Sequence, residues 1–177
     1  MKRIIILSVA LASAFVVQAQ QTRQNAIKIN PLSLLVATGN VAYERAIGER
    51  TSVQLGGFYS GFRTAGLKYE GFGLTPEVRF YFAGDKEALN GIYAGPFMRY
   101  QHYKLKDRLD GSSVAYQSFG GGAIVGWQKM WKGGFVLDLY AGPSYNAGKF
   151  KDGQEESLAF GIDGFSVRTG ITIGFGF

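Results

Sequence analysis

Between residues 71 and 82 apolar and polar side chains alternate without a break. Phe72, Leu74, Pro76, Val78, Phe80 and Phe82 fall on one face, and Gly73, Thr75, Glu77, Arg79 and Tyr81 on the other. A period of two marks an extended strand, because successive side chains leave opposite faces. The closing segment repeats it, with Phe165, Val167, Thr169, Ile171, Ile173, Phe175 and Phe177 opposite Arg168, Gly170, Thr172, Gly174 and Gly176. Weaker versions complete a set of eight predicted strands, near 26–36, 40–48, 51–60, 71–82, 91–102, 117–129, 134–145 and 165–177, with turn residues between them. The pattern predicts an all-β fold with an even number of antiparallel strands.

Alternation alone also suits a soluble barrel, so the occupants of the polar face decide the environment. In water that face should be rich in lysine. Instead Lys68, Lys86, Lys104, Lys106, Lys129, Lys132, Lys149 and Lys151 lie in connections or at strand ends, and only Lys28 falls inside a predicted strand. The polar face carries Glu44, Glu77 and Asp138 with Arg79, Arg99 and Arg168, padded with glycine. Equal numbers of opposite charges fit a narrow lumen in which ions neutralise one another, and arginine's planar fork suits such pairing. On the opposite face an Arg or Lys at mid-bilayer would cost roughly 2–4 kcal/mol. Only Arg45 stands there, close to the turn at Gly48. The prediction is therefore an eight-stranded antiparallel transmembrane β-barrel whose lumen holds those six ions. Tyr81, Tyr93, Phe97 and Tyr140 also point inward and narrow the bore.

Met1-Lys2-Arg3, an apolar run from Ile4 to Val17, and Gln18-Ala19-Gln20 have the order of a cleaved signal peptide. The run is shorter than the about 20 residues a spanning helix needs. Residues 1–19 are thus the expected signal peptide and residues 20–177 one barrel domain. The absence of cysteine excludes disulfides, thiolate metal sites and a lipidated cysteine. The formal net charge is +6, but both signs are interspersed along the chain, so no nucleic-acid partner is expected.

With the N-terminus inside, short inner turns are predicted at Gly48–Arg50, Ala83–Asn90 and Met130–Gly133. Outer loops are predicted at Ala37–Gly39, Gly61–Glu70, Tyr103–Tyr116 and Asn146–Gly164. The first is unusually short. Trp127, Trp131, Phe80, Phe82, Phe135 and Phe177 would form an inner aromatic girdle, and Tyr59, Phe72, Tyr100, Tyr145 and Phe165 an outer one. Tyr93-Ala94-Gly95-Pro96 and Tyr140-Ala141-Gly142-Pro143 echo each other in the fifth and seventh segments. Pro76, Pro96 and Pro143 each remove an amide donor, which predicts local bulges or water there.

Tyr43-Glu44-Arg45, Pro76 to Phe82, Tyr93 to Pro96, Gly122 to Gln128 and the closing Gly174-Phe175-Gly176-Phe177 carry a resemblance to the small outer-membrane β-barrels of Gram-negative bacteria. These include the OmpA transmembrane domain and the OmpX-like and OmpW-like barrels, and the chain looks closest to uncharacterised Bacteroidetes-type members. The resemblance implies that Ile173, Phe175 and Phe177 form the signal read by the outer-membrane assembly machinery. It implies residence in the outer membrane, with outer-membrane lipid and lipopolysaccharide as partners and no cofactor or metal.

The expected role is an envelope structural or surface-interaction protein with a packed, non-conducting lumen, acting through its outer loops. There Arg63, Lys68, Lys104, Lys106 and Arg108 are candidate contacts to lipopolysaccharide phosphates. The alternatives are a lipid A-modifying enzyme or a narrow solute channel. For the enzyme the sole histidine, His102, would need a serine such as Ser112, Ser113 or Ser118, but position 104, where a deacylase pattern would put one, is lysine. No catalytic residue is assigned. Asp152, Glu155 and Glu156 form an acidic cluster without calcium-loop spacing.

Overall fold

Alternating segments that cannot leave an edge unpaired in lipid must close on themselves. A computed structural model describes residues 23–64, 67–82, 88–107, 113–150 and 164–177 of the chain. It shows eight antiparallel strands: β1 (Asn25–Ile29), β2 (Thr38–Ala46), β3 (Thr51–Thr64), β4 (Leu67–Tyr81), β5 (Gly91–Asp107), β6 (Ser113–Met130), β7 (Phe135–Phe150) and β8 (Gly164–Gly176). Each pairs with its sequence neighbours, and β1 pairs with β8 to close the barrel. The predicted signal peptide and the acidic cluster lie outside the described residues.

Solvent exposure is inverted relative to a soluble barrel. Leu55, Phe72, Leu74, Phe80, Val125, Val167 and Phe175 are exposed on the outer wall, whereas Lys28, Glu44, Glu77, Arg79 and Asp138 are buried inside it. An apolar wall around an ionic interior is stable only when the wall meets hydrocarbon, so the chain is a transmembrane barrel of the outer-membrane type. Every residue of both predicted girdles is exposed. Along β8 the two levels, Phe165 and Phe177, stand twelve positions apart, enough strand to cross a bilayer.

β1 departs from expectation. It ends at Ile29, and Pro31–Val36 form a 3-10 helix. Asn30 caps it, its Oδ1 accepting from the amides of Leu32 (3.0 Å) and Ser33 (3.3 Å), and Ala37 closes it in the left-handed region at φ 52°. Two features of the sequence enforce the break. Pro31 has no amide to give the ladder, and the apolar phase slips. Ile27 and Ile29 face lipid, so a continued strand would aim Leu32 and Leu34 into the lumen, with Leu34 opposite Arg168. As a helix the segment exposes Leu32, Leu34, Leu35 and Val36 instead. The first outer connection is therefore longer than Ala37–Gly39.

The prolines do not produce bulges. Leu74↔Tyr100, Glu77↔Phe97 and Phe80↔Ala94 keep one register past Pro76 and Pro96, with rungs missing between them. The two Tyr-Ala-Gly-Pro segments do the same job twice. Tyr93 lies over Gly126 and Tyr140 over Gly170 of the following strand, while a Cβ on Gly95 or Gly142 would strike a carbonyl of the preceding one. Aromatic rings thus fill the space that cross-strand glycines leave.

Candidate functional site in the barrel lumen

Residues in phase with Ala26 on β1 point inward, which brings Lys28 to the barrel axis. Its ammonium has three donors and three acceptors: Glu44 Oε2 at 2.5 Å, Gln128 Oε1 at 2.8 Å and Asp138 Oδ2 at 2.9 Å. Arg79, on β4, donates from Nη1 to Asp138 Oδ2 (2.8 Å) and Gln128 Oε1 (3.1 Å), and from Nε to Glu77. Its guanidinium also lies 4.2 Å from the centre of the Tyr93 ring.

The carboxylates are held from several strands. Glu44 accepts from Ser52 Oγ and, at 2.8 Å, from Tyr81 Oη. Asp138 accepts from Tyr93 Oη at 2.7 Å. Glu77 accepts from Arg168 Nη1 at 2.7 Å, one tier further out. Lys28, Arg79 and Arg168 thereby balance Glu44, Asp138 and Glu77. All six belong to one connected network, and the side chains of Lys28, Glu44, Glu77, Arg79 and Asp138 are 0% exposed. Gln128 Nε2 donates to the carbonyl of Leu89 (3.1 Å), tying the network to the inner turn, where Leu89 is buried at φ 74°.

Five of the six predicted lumen ions are joined in this way. Arg99 is not. It makes no ion pair or hydrogen bond among the described residues, its Nε is buried without a partner, and its guanidinium stands 5.7 Å from the centre of the Phe97 ring, which Arg168 also approaches, at 4.5 Å. The equal balance expected from sequence is therefore corrected. Four cations, Lys28, Arg79, Arg99 and Arg168, face three anions among the side chains described. Lys28 had looked like an exception to the lysine rule. Its position between lipid-facing Ile27 and Ile29 is the signal that places it inside.

Above Arg99 the lumen turns polar and aromatic. Gln101, Ser118, Ser144 and Asn146 are buried there. Tyr103 stacks against Tyr69 (5.3 Å) and Tyr116 (6.5 Å) and touches Phe58 (6.1 Å).

Other sequence candidates fall elsewhere. Lys104 is exposed on β5. Arg63, Lys68 and Lys106 lie on the outer ends of β3, β4 and β5, with Arg63 opposite Lys68 and Lys68 opposite Lys106, while Arg108 lies outside the described residues. Ile173, Phe175 and Phe177 sit where β8 meets β1, and the Phe177 amide donates to the Asn25 carbonyl at 2.8 Å. His102 packs on the lipid-facing Phe72 ring at 5.4 Å, whereas Ser118 is buried on the lumen side, so the two do not meet.

No curated protein matches the chain in sequence. Among solved structures, Ail, the attachment invasion locus protein of Yersinia pestis, is similar at 12% identity and a TM-score of 0.45, over 88% of this chain and 98% of that one. A family model matches residues 5–159, and by that match the chain belongs to the family described as protein of unknown function DUF3575.

Proposed function

We propose that the protein is a non-conducting outer-membrane barrel that serves as an envelope structural and surface-interaction protein through its outer loops, with no catalytic role. The observation that carries the reading is the neutral network of Lys28, Arg79 and Arg168 with Glu44, Asp138 and Glu77, drawn from β1, β2, β4, β7 and β8 and almost wholly desolvated across the bore. Eight strands leave room for little else, and Leu89 fills the inner side. An ion crossing this layer would have to part charges that are paired in a dry setting. The separation of His102 from Ser118 favours this role over lipid A hydrolysis. Export through the signal peptide at residues 1–19 and assembly through Ile173, Phe175 and Phe177 belong to the same proposal.

The lumen claim is tested in planar bilayers, where the purified protein should add no conductance above the lipid baseline; steady channel openings would overturn it. The outer surface is tested by replacing Arg63, Lys68, Lys104, Lys106 and Arg108 together. Co-purifying lipopolysaccharide should fall, and unchanged content would remove those five from the contact surface.

A further inference from the structure

We propose that the outer half of the lumen is an oxyanion-binding site, with Arg99 as its principal cation and a phosphate-type group as its ligand. The first observation is the charge left over. Once Lys28, Arg79 and Arg168 are matched with Glu44, Asp138 and Glu77, Arg99 is the one lumen cation without an ion-pair partner in contact among the described residues. Arg99 is half-buried with its Nε shut off from water, so the guanidinium gives up part of its hydration without an anion in contact, and arginine's fork is shaped for phosphate.

The second observation is that unmet polar atoms gather around it. Arg168 Nε and Ser118 Oγ are buried donors without partners in the same half of the lumen, whereas Asn146 Oδ1, also unpartnered there, is an acceptor and adds nothing to an anion site. Two arginine donors and a hydroxyl donor are a complement suited to an oxyanion's several acceptors. Gln101 is held away from this group, since its Nε2 donates to Tyr103 Oη at 2.8 Å.

The third is access. The stack of Phe58, Tyr69, Tyr103 and Tyr116 covers the side of the bore formed by β3 to β6. Inward positions on the other side, such as Thr38, Asn146 and Ser166, are small and polar, with Thr38 donating to Ser60 and Asn146 to Ser166. There is a second route. β8 pairs with β1 only from Ile173 to Gly176, so Gly164–Thr172 has no rung toward β1. Unpaired backbone at membrane depth is tolerated where it lines a wet cavity. On the lipid side of that seam an open groove of about 720 Å³ lies between Leu32 of the 3-10 helix and Leu139, Ala141 and Ile171 of the wall. A phosphate head could therefore arrive from solution through the mouth or, with its acyl chains along the groove, from the bilayer through the seam.

The test uses the full chain, exported and purified from outer membranes in a maltoside detergent. Inorganic phosphate and, separately, phosphatidic acid are titrated and followed by phosphorus NMR, with heat-modifiable migration as the check of folding. At least one probe should bind saturably. Arg99→Gln should weaken it about tenfold or more, while Arg99→Lys, which keeps the charge, should lose less. Ser118→Asp, which places a fixed carboxylate diagonally across from Arg99, should abolish binding in a folded barrel, and it decides the matter if Arg99→Gln does not assemble. Binding of inorganic phosphate assigns the site to solutes; binding of phosphatidic acid alone assigns it to lipid entering through the seam. The proposal is overturned if neither probe binds, or if folded Arg99→Gln or Ser118→Asp binds like the wild type.

Discussion

In the inner half of the lumen each formal charge has an opposite within hydrogen-bonding reach, and in the outer half Arg99 and Arg168 both lie near the same Phe97 ring. The same residue type, arginine, is ion-paired in one tier and without an ion pair in the next, although Arg79 too keeps one buried donor, Nη2, without a partner. Neighbours make the difference. Arg79 meets Glu77 on its own strand and Asp138 across the bore, while Arg99 faces Gly120 on β6 and has hydroxyls and amides above it. A barrel that carried charges only to fill its centre would have had no reason to add a fourth cation.

The sharpest way to break this contrast is to remove Arg79. Arg79→Met leaves Glu44, Glu77 and Asp138 with two cations between them in a dry setting, and taking one partner from a buried ionic network costs about 3–5 kcal/mol. Urea unfolding in micelles should show a loss of that order, with much of the protein migrating as unfolded on unheated gels. Loss below about 1 kcal/mol would mean that the inner tier is hydrated and not tightly coupled.

Next in size is a coupling energy. Lys28→Met and Asp138→Leu each break the same contact (2.9 Å) and each strand a charge, whereas the double variant removes both signs together. Its destabilisation should fall short of the sum of the singles by about 0.5–3 kcal/mol. Strict additivity would show that the two do not share one network. Of similar size is the effect of Tyr93→Phe, which deletes the 2.7 Å hydrogen bond to Asp138 and leaves the ring over Gly126 in place. A bond to a charged group is worth about 1.5–3 kcal/mol, and the same unfolding assay reads it.

How much of this was legible in the sequence depended on whether one face of a strand met lipid. Across the bilayer, alternation between oily and polar positions gave the lumen assignment of Glu44, Glu77, Arg79, Asp138 and Arg168, and placed the inner strand ends within a few residues. Beyond the outer girdle, both faces meet water and the period fades. The outer ends of β3 to β7, such as Leu105–Asp107 and Ala147–Phe150, therefore looked like loop. β1 failed for another reason: Pro31 and the displaced Leu32 and Leu34 were counted into a strand whose phase they break. The partners of the ions, Ser52 and Gln128, carried no signal of their own. Polar residues on the inner face are common, and only the three-dimensional register selects which of them meet. The missing partner of Arg99 was illegible for the same reason.

The smallest expected effect bears most directly on the contrast. Arg99→Gln removes a cation that gives up hydration and receives no hydrogen bond or ion pair from the described residues in return. Unlike Arg79, it strands no carboxylate, because Glu77 keeps both Arg79 and Arg168. Truncating a partnerless charge relieves a desolvation penalty, where breaking a pair creates one. In phosphate-free buffer the variant should match or exceed the wild type in unfolding free energy, with any difference within about 1 kcal/mol. Added phosphate should then raise the stability of the wild type and leave the variant unmoved, since a ligand stabilises only the state that binds it. A loss of several kcal/mol without phosphate would instead make Arg99 a working member of the ionic core, and the two halves of the lumen would be one.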